Sequence, residues 1–204
     1  MLPASSPDKR SWSIKASPSS KALPTPTERE SRHVTDHEDK AEIIELLNLY
    51  AFALDSHSWA LFDRIFTDDV SADYGPGADW RTRADFVSAF VDIHNQHDCH
   101  QHTMMGHLVH VDGDKAYAFT YGNWLLIRHA AEGDPTWRGT GWYDDELVRT
   151  DRGWRIKHRI SRLVTYSGNP NVPGLGGDET PGYLGSVLFH EVDGIRYFKA
   201  INAQ

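Results

Sequence analysis

The chain has 204 residues, of which 39% are apolar and 25% charged, and a formal net charge of -8. That length fits one domain with extensions; the acidic balance argues against a nucleic-acid binder and against docking on acidic membranes, and no apolar run approaches the ~20 residues a membrane span needs. The single cysteine, Cys99, excludes an internal disulfide framework and a cysteine-based zinc site, and makes a reducing compartment the default.

Residues 1 to about 34 read as a disordered tail, rich in Pro, Ser, Lys and Arg and poor in apolar side chains. Such a segment buries too little surface to offset its ordering entropy. It lacks the long apolar run of a secretory signal. Its basic, Ser-rich composition leaves organelle targeting open, and a cytoplasmic location is otherwise expected. Thr35 with Glu38 reads as a capping box. Ile43, Ile44, Leu47, Tyr50, Ala51 and Leu54 follow at helical spacing, so a first helix should end near Asp55. Trp59 to Phe66 reads as a short second helix and Val70 to Tyr74 as a short strand ended by Gly75-Pro76-Gly77. Thr82 with Asp85 should start a third helix carrying Phe86, Val87, Phe90 and Ile93.

The apolar period then changes from helical to two. Residues 100 to 111 read as a strand, Asp112-Gly113-Asp114 as a tight turn, and 115 to 128 as the next strand. Another strand pair covers 138 to 149 and 154 to 166. Helices first and an antiparallel meander after them imply an α+β fold. Residues 167 to 182 are loop by composition, and 186 to 201 read as a second Asp-Gly hairpin. The domains expected are thus the tail (1–34), a core (35–170) and a loop-and-hairpin extension (171–204).

Residues 94 to 107, HNQHDCHQHTMMGH, hold five of the twelve histidines. His94, His97 and His100 straddle an element boundary, with no HExxH and no carboxylate triad beside them. The polar neighbours of His94 and His97 fit a solvated helix end, where the dipole favours imidazole, and no metal is expected. Without a bulge, His100, His102, Met104, Gly106, Leu108 and His110 share one strand face. Asp55 ends an apolar helix, where a carboxylate is costly unless paired. It either binds the next turn's backbone or turns inward to a histidine, giving a general base oriented by an acid.

YAFALDSHSWALFDRIFTDDVSADYG, HTMMGHLVHVDGDKAYAFTYGNW and GWYDDELVRTDRGWRIKHRISRLVTYSGNP, in that order, resemble the SnoaL-like branch of the nuclear transport factor 2-like superfamily, over about residues 36 to 170. The layout is similar to that of scytalone dehydratase and hexachlorocyclohexane dehydrochlorinase. The resemblance implies a cone: a curved antiparallel sheet wrapped on three helices, enclosing one apolar pocket. It implies Asp55 and His102 as a proton-abstracting pair and Tyr74 as a group polarising a substrate carbonyl. Tyr50 falls where the dehydrochlorinase-type member has a lysine, and Arg149 near an arginine assisting halide departure. Leu54 and Thr140 stand where a tyrosine and a second histidine are found in scytalone dehydratase, so the carbonyl-activating set differs.

The first reading is therefore a cofactor-independent lyase or isomerase acting on a small hydrophobic cyclic metabolite, in secondary or xenobiotic metabolism. His102, Asp55 and Tyr74 would be catalytic; Tyr50, Leu54, Phe66, Met104, Asn123, Trp124, Thr140 and Arg149 would line the substrate. The second reading is a non-catalytic ligand-binding or assembly module of the same fold, and a metal-dependent hydrolase is third. By analogy, a homodimer or higher homo-oligomer should form through the outer sheet face.

Overall fold

The computed structural model describes residues 26–174 and 185–203, with side chains from Asp36 onward. Residues 1–25, and residues 175–182 of the loop expected at 167–182, lie outside the described residues. The first helix, α1, spans Pro26–Asp55. It starts nine residues before Thr35, so that threonine lies inside a helix rather than capping one. Ile43, Leu47, Tyr50 and Leu54 form its buried stripe, the i, i+4, i+7, i+11 series of an amphipathic helix. The bidentate contact of Arg149 with Asp39, and Trp154 Nε1–H donating to Asp39 Oδ1, tie the stripe's early end to the sheet.

The end of α1 is defined by geometry. Ser58 N–H reaches the Ala53 carbonyl and His57 N–H the Leu54 carbonyl, the bond pair of a helix closed by one left-handed residue. That residue is His57, with φ 52°, the one non-glycine with positive φ among the described residues. Glycine is usual there, because a Cβ in this region costs about 1 kcal/mol.

A 3-10 turn (Trp59–Leu61) and α2 (Phe62–Ile65) lead into β1 (Phe66–Asp73) and the short β2 (Asp79–Trp80). The strand expected at Val70 thus begins four residues earlier. Thr82 caps α3 (Arg83–His94), accepting from Asp85 N–H as expected. β3 (Cys99–Asp112), β4 (Lys115–Ile127), β5 (Thr136–Thr150) and β6 (Gly153–Gly168) form the meander. The sheet order is β2-β1-β6-β5-β4-β3. It is curved and open, and mixed rather than purely antiparallel, because β1 runs parallel to β6. Register shifts interrupt β3, β5 and β6, and bulges of this kind bend strands.

The bulge in β3 lies between Met105 and Leu108, where Gly106 has φ +64°. It corrects the face assignment: His100, His102 and Met104 face the helices, but beyond the bulge Val109 and Val111 do, packing on the core. Leu108 is exposed instead.

The C-terminal hairpin is not present. Residues 188–202 form α4 (Leu188–Glu191), a 3-10 turn and α5 (Arg196–Asn202), giving five α-helices among the described residues rather than three. Asp193-Gly194 belongs to the 3-10 turn. Asp144, on the outer face of β5, accepts the Arg196 and Tyr197 backbone N–H groups, satisfying donors a helix start leaves orphaned. Ile195 joins Phe119 and Trp142, with Leu188, Tyr197 and Phe198 packed alongside. Trp142 is thus on the outer face and does not line the interior. The C-terminal helices occupy part of the face on which the dimer expectation rests.

Gly106→Ala should lower stability by about 1–2 kcal/mol, since the conformation is left-handed and an added Cβ would lie 3.2 Å from the Tyr121 ring. Chemical denaturation of both proteins checks this.

Candidate active site

The last turn of α1 carries Asp55 to the inner face of β3. Its Oδ1 accepts from His102 Nδ1–H at 2.8 Å and from His100 Nδ1–H at 3.2 Å. Both carboxylate oxygens also lie within reach of the His102 backbone N–H, at 3.1 and 2.9 Å. A carboxylate only accepts, so the Nδ1 proton of His102 is fixed and its Nε2 bears the lone pair. The helix end thus grips strand backbone and side chain together, and sets the tautomer a base requires.

Burial works to raise the Asp55 pKa. The hydrogen bonds from His100 and His102, and from the His102 backbone, win and hold its carboxyl well below the usual carboxylate range. Burial lowers the pKa of His102, and the Asp55 hydrogen bond and charge partly restore it. The imidazole is thereby kept neutral and available.

The solvated helix end expected for His94 and His97 is overturned. Both are buried, 5% and 8% exposed. The turn after α3 closes with His97 N–H on the His94 carbonyl and Asp98 N–H on the Ile127 carbonyl at the end of β4. His94 donates from Nδ1 to the Phe90 carbonyl at 2.7 Å and stacks on that ring. His97 donates from Nε2 to the Val172 carbonyl at 3.1 Å. His94 lies 5.0 Å from His100 and 5.6 Å from His102, ring to ring. Burial, with the charges of His102 and its neighbours, pushes the His94 pKa down to about 3. Asp55, His100 and His102 offer ligand atoms within 4.8 Å of one another. Both Nδ1 atoms spend their protons on the carboxylate, so the set is engaged in hydrogen bonding and we assign no metal to it.

A second polar group lies deeper. The Tyr50 and Tyr74 hydroxyls are 2.9 Å apart. Trp124 sits opposite His102 in the β3–β4 register, and its Nε1–H donates to the Tyr143 hydroxyl at 2.8 Å. Arg159, wholly buried, binds Asp145 through Nε and Nη2 at 2.7 and 2.8 Å. Its guanidinium lies 4.2 Å from the Tyr50 ring and 4.6 Å from the Tyr143 ring. Burial raises the pKa values of Tyr50, Tyr74 and Tyr143, so all three remain O–H donors at neutral pH. Phe90 touches both Tyr74 and His94 and connects the two polar groups.

The structure thus brings together Asp55 with His102, and Tyr50 with Tyr74. Met104 and Trp124 share the inner face with His102; Leu54 and Phe66 are fully buried core beside Tyr50. Three expected residues are elsewhere. Asn123 pairs with Thr103 and with Thr140, on the sheet face opposite His102, because neighbouring strand residues alternate. Asn123 and Thr140 instead line an outer groove of about 530 Å³. Arg149 is held by Asp39 and Asp114 beside the middle of α1, Asp39 lying 16 residues before Asp55 in the chain. Sequence reasoning missed the burial of His94 and His97, the contact of His100 with Asp55 and with the exposed His57, and Tyr143, Arg159 and Asp145 altogether. The alternating His100-x-His102 was the one available signal.

The architecture is that of the nuclear transport factor 2-like α+β cone. Residues 35–160 match the SnoaL-like domain, and the chain belongs to that family. The uncharacterised protein Rv2910c of Mycobacterium tuberculosis is 28% identical over 134 residues, 65% of this chain and 90% of its own. The Kfla4162 protein of Kribbella flavida is 27% identical with a TM-score of 0.62, covering 65% of this chain and 95% of that one. At lower identity the fold alone is shared with LinA (15%, TM-score 0.61, 73% and 98% covered) and a candidate scytalone dehydratase of Novosphingobium aromaticivorans (17%, TM-score 0.59, 69% and 91% covered). Among the described residues no helix is long and apolar enough to cross a membrane.

A folded-state pKa of about 3 for His94, against an ordinary 6.5, means the unfolded chain takes up this proton first as pH falls. Its contribution to stability is complete above pH 6.5 and should be lost progressively toward pH 3, at up to about 1.4 kcal/mol per pH unit. Denaturation midpoints of wild type and His94→Phe across this window check it: the variant's curve should be flatter.

Proposed function

We propose that the protein is a cofactor-independent lyase or isomerase that removes a carbon-bound proton from a small hydrophobic, cyclic carbonyl compound. The observation that carries this reading is the Asp55–His102 contact, which leaves the His102 Nε2 lone pair as a base on the inner face. Both LinA and the candidate scytalone dehydratase share the fold, which supports this class of chemistry without identifying the substrate.

His102 Nε2 takes a proton alpha or vinylogous to the carbonyl, and Asp55 stabilises the resulting imidazolium. Tyr74, backed by Tyr50, donates to the oxygen on which negative charge develops; such donors do most where water is excluded. If a hydroxyl lies beta to the carbanion it departs, taking the proton back from His102 as water. If none does, the proton returns at another carbon and the double bond has moved. Met104, Phe90 and Trp124 supply the apolar surround.

Proton abstraction can be read without knowing the natural substrate. In deuterated water, wild-type protein should exchange the alpha hydrogens of some members of a panel of cyclic enones and β-hydroxy ketones. His102→Gln should reduce that exchange by about 10²–10⁴-fold, and Tyr74→Phe by a smaller factor. Exchange that is equal in wild type and His102→Gln would replace this reading with that of a binding module.

A further inference from the structure

Asp55 carries two histidines on one oxygen, and only one belongs to the base. His100 can only donate to Oδ1, so its Nε2 is directed the other way, to within 2.8 Å of His57 Nε2. The two rings differ by 8° in plane, with centroids 5.0 Å apart. Nitrogens that close between nearly coplanar rings meet edge to edge, as in an N–H···N hydrogen bond. One proton occupies that contact; two would repel. The His100 side chain is 3% exposed, whereas His57 lies at the surface. His57 is held there by the left-handed backbone that closes α1, a position where a side chain is retained at a cost.

We propose that His57 and His100 form a solvent-linked proton store that sets the basicity of His102 through Asp55. The proposal rests on the reading of Asp55 and His102 as a base. In the neutral pair, His57 Nε2–H donates to His100 Nε2 and His57 Nδ1 is bare. A proton from water adds at His57 Nδ1, the bridging proton is shared between the two Nε2 atoms, and positive charge spreads toward Asp55. No other bond changes. That charge occupies the same carboxylate oxygen that stabilises the His102 imidazolium. One carboxylate stabilises one imidazolium better than two, so a charged pair weakens the base and a neutral pair strengthens it. The coupling is reciprocal.

The groups facing the pair are few. Asp55 approaches from α1, His94 from α3, His97 from the loop after it and His102 from the same strand, and the Trp59 ring lies against His57. Burial favours the neutral forms of His94 and His97, and Arg128 adds to this at His97. Asp55 is therefore the negative charge in contact with the pair.

Nitrogen-15 NMR titration of the His102 ring tests this without turnover, in full-length wild type, His100→Gln and His57→Gly. Glutamine can still donate to Asp55 but cannot be charged. Glycine suits the left-handed position, so His57→Gly should raise the Tm while removing the outer half of the store. In both variants the His102 midpoint should rise by about one unit, and its curve should steepen to that of a single proton. Curves that superimpose on wild type in His57→Gly, or a midpoint that falls, would overturn the proposal. Should His100→Gln fail to fold, His57→Gly decides alone. Because no substrate is involved, a failure here leaves the deuterium-exchange test standing, and the reverse also holds.

Discussion

Everything in the site depends on where the last turn of α1 stops. Asp55 is 47 residues from His102 in the chain, and nothing local brings them together. The helix stripe from Ile43 to Leu54 fixes α1 on the inner sheet face, and the Asp39–Arg149–Trp154 contacts fix the start of that stripe. With the stripe held along its length, the carboxylate falls against the backbone and the ring of His102 at once. Losing that anchorage by a small shift would uncouple the pair, since a hydrogen bond weakens quickly beyond its normal range.

The interior is costly in polar terms, and it is largely satisfied. A buried arginine is tolerable because Asp145 takes two of its donors and aromatic faces flank it. Removing one member of such a pair is destabilising because it strands the other. Three buried side-chain atoms stand out: Thr67 Oγ1, His97 Nδ1 and Arg159 Nη1 lack hydrogen-bond partners among the described residues. Above this base sit phenols that burial keeps protonated and an imidazole that burial keeps neutral. Donors and an imidazole lone pair thus coexist on one face, each favoured in its neutral form by burial.

The fold class was legible in the sequence because the apolar period changes once, from helical to alternating, near residue 99. The capped start of α3 and the Gly113 turn were legible for local reasons, Thr82 and an Asp-Gly pair. What escaped depended on long-range contacts. The Gly106 bulge reversed the face of the residues after it, since an alternating pattern cannot register one extra residue. The C-terminal Asp-Gly suggested a hairpin, but Asp144 across the sheet supplies the cap that makes α5. His94 and His97 looked solvated because their sequence neighbours are polar, whereas the carbonyls of Phe90 and Val172 meet them inside. Asp55 stood out as a carboxylate ending an apolar helix, but only family likeness paired it with His102; Arg159 had no comparable signal, lying among charged neighbours in a strand.

The central claim is that Asp55 holds His102 as a base. The direct measurement is the His102 ring titration in wild type and Asp55→Asn. The carboxylate raises the affinity of His102 for its proton against the effect of burial, so the account predicts a clear fall in the pKa when Asp55 becomes asparagine. An unchanged value would mean that the two groups touch without being electrostatically coupled, which would contradict the account.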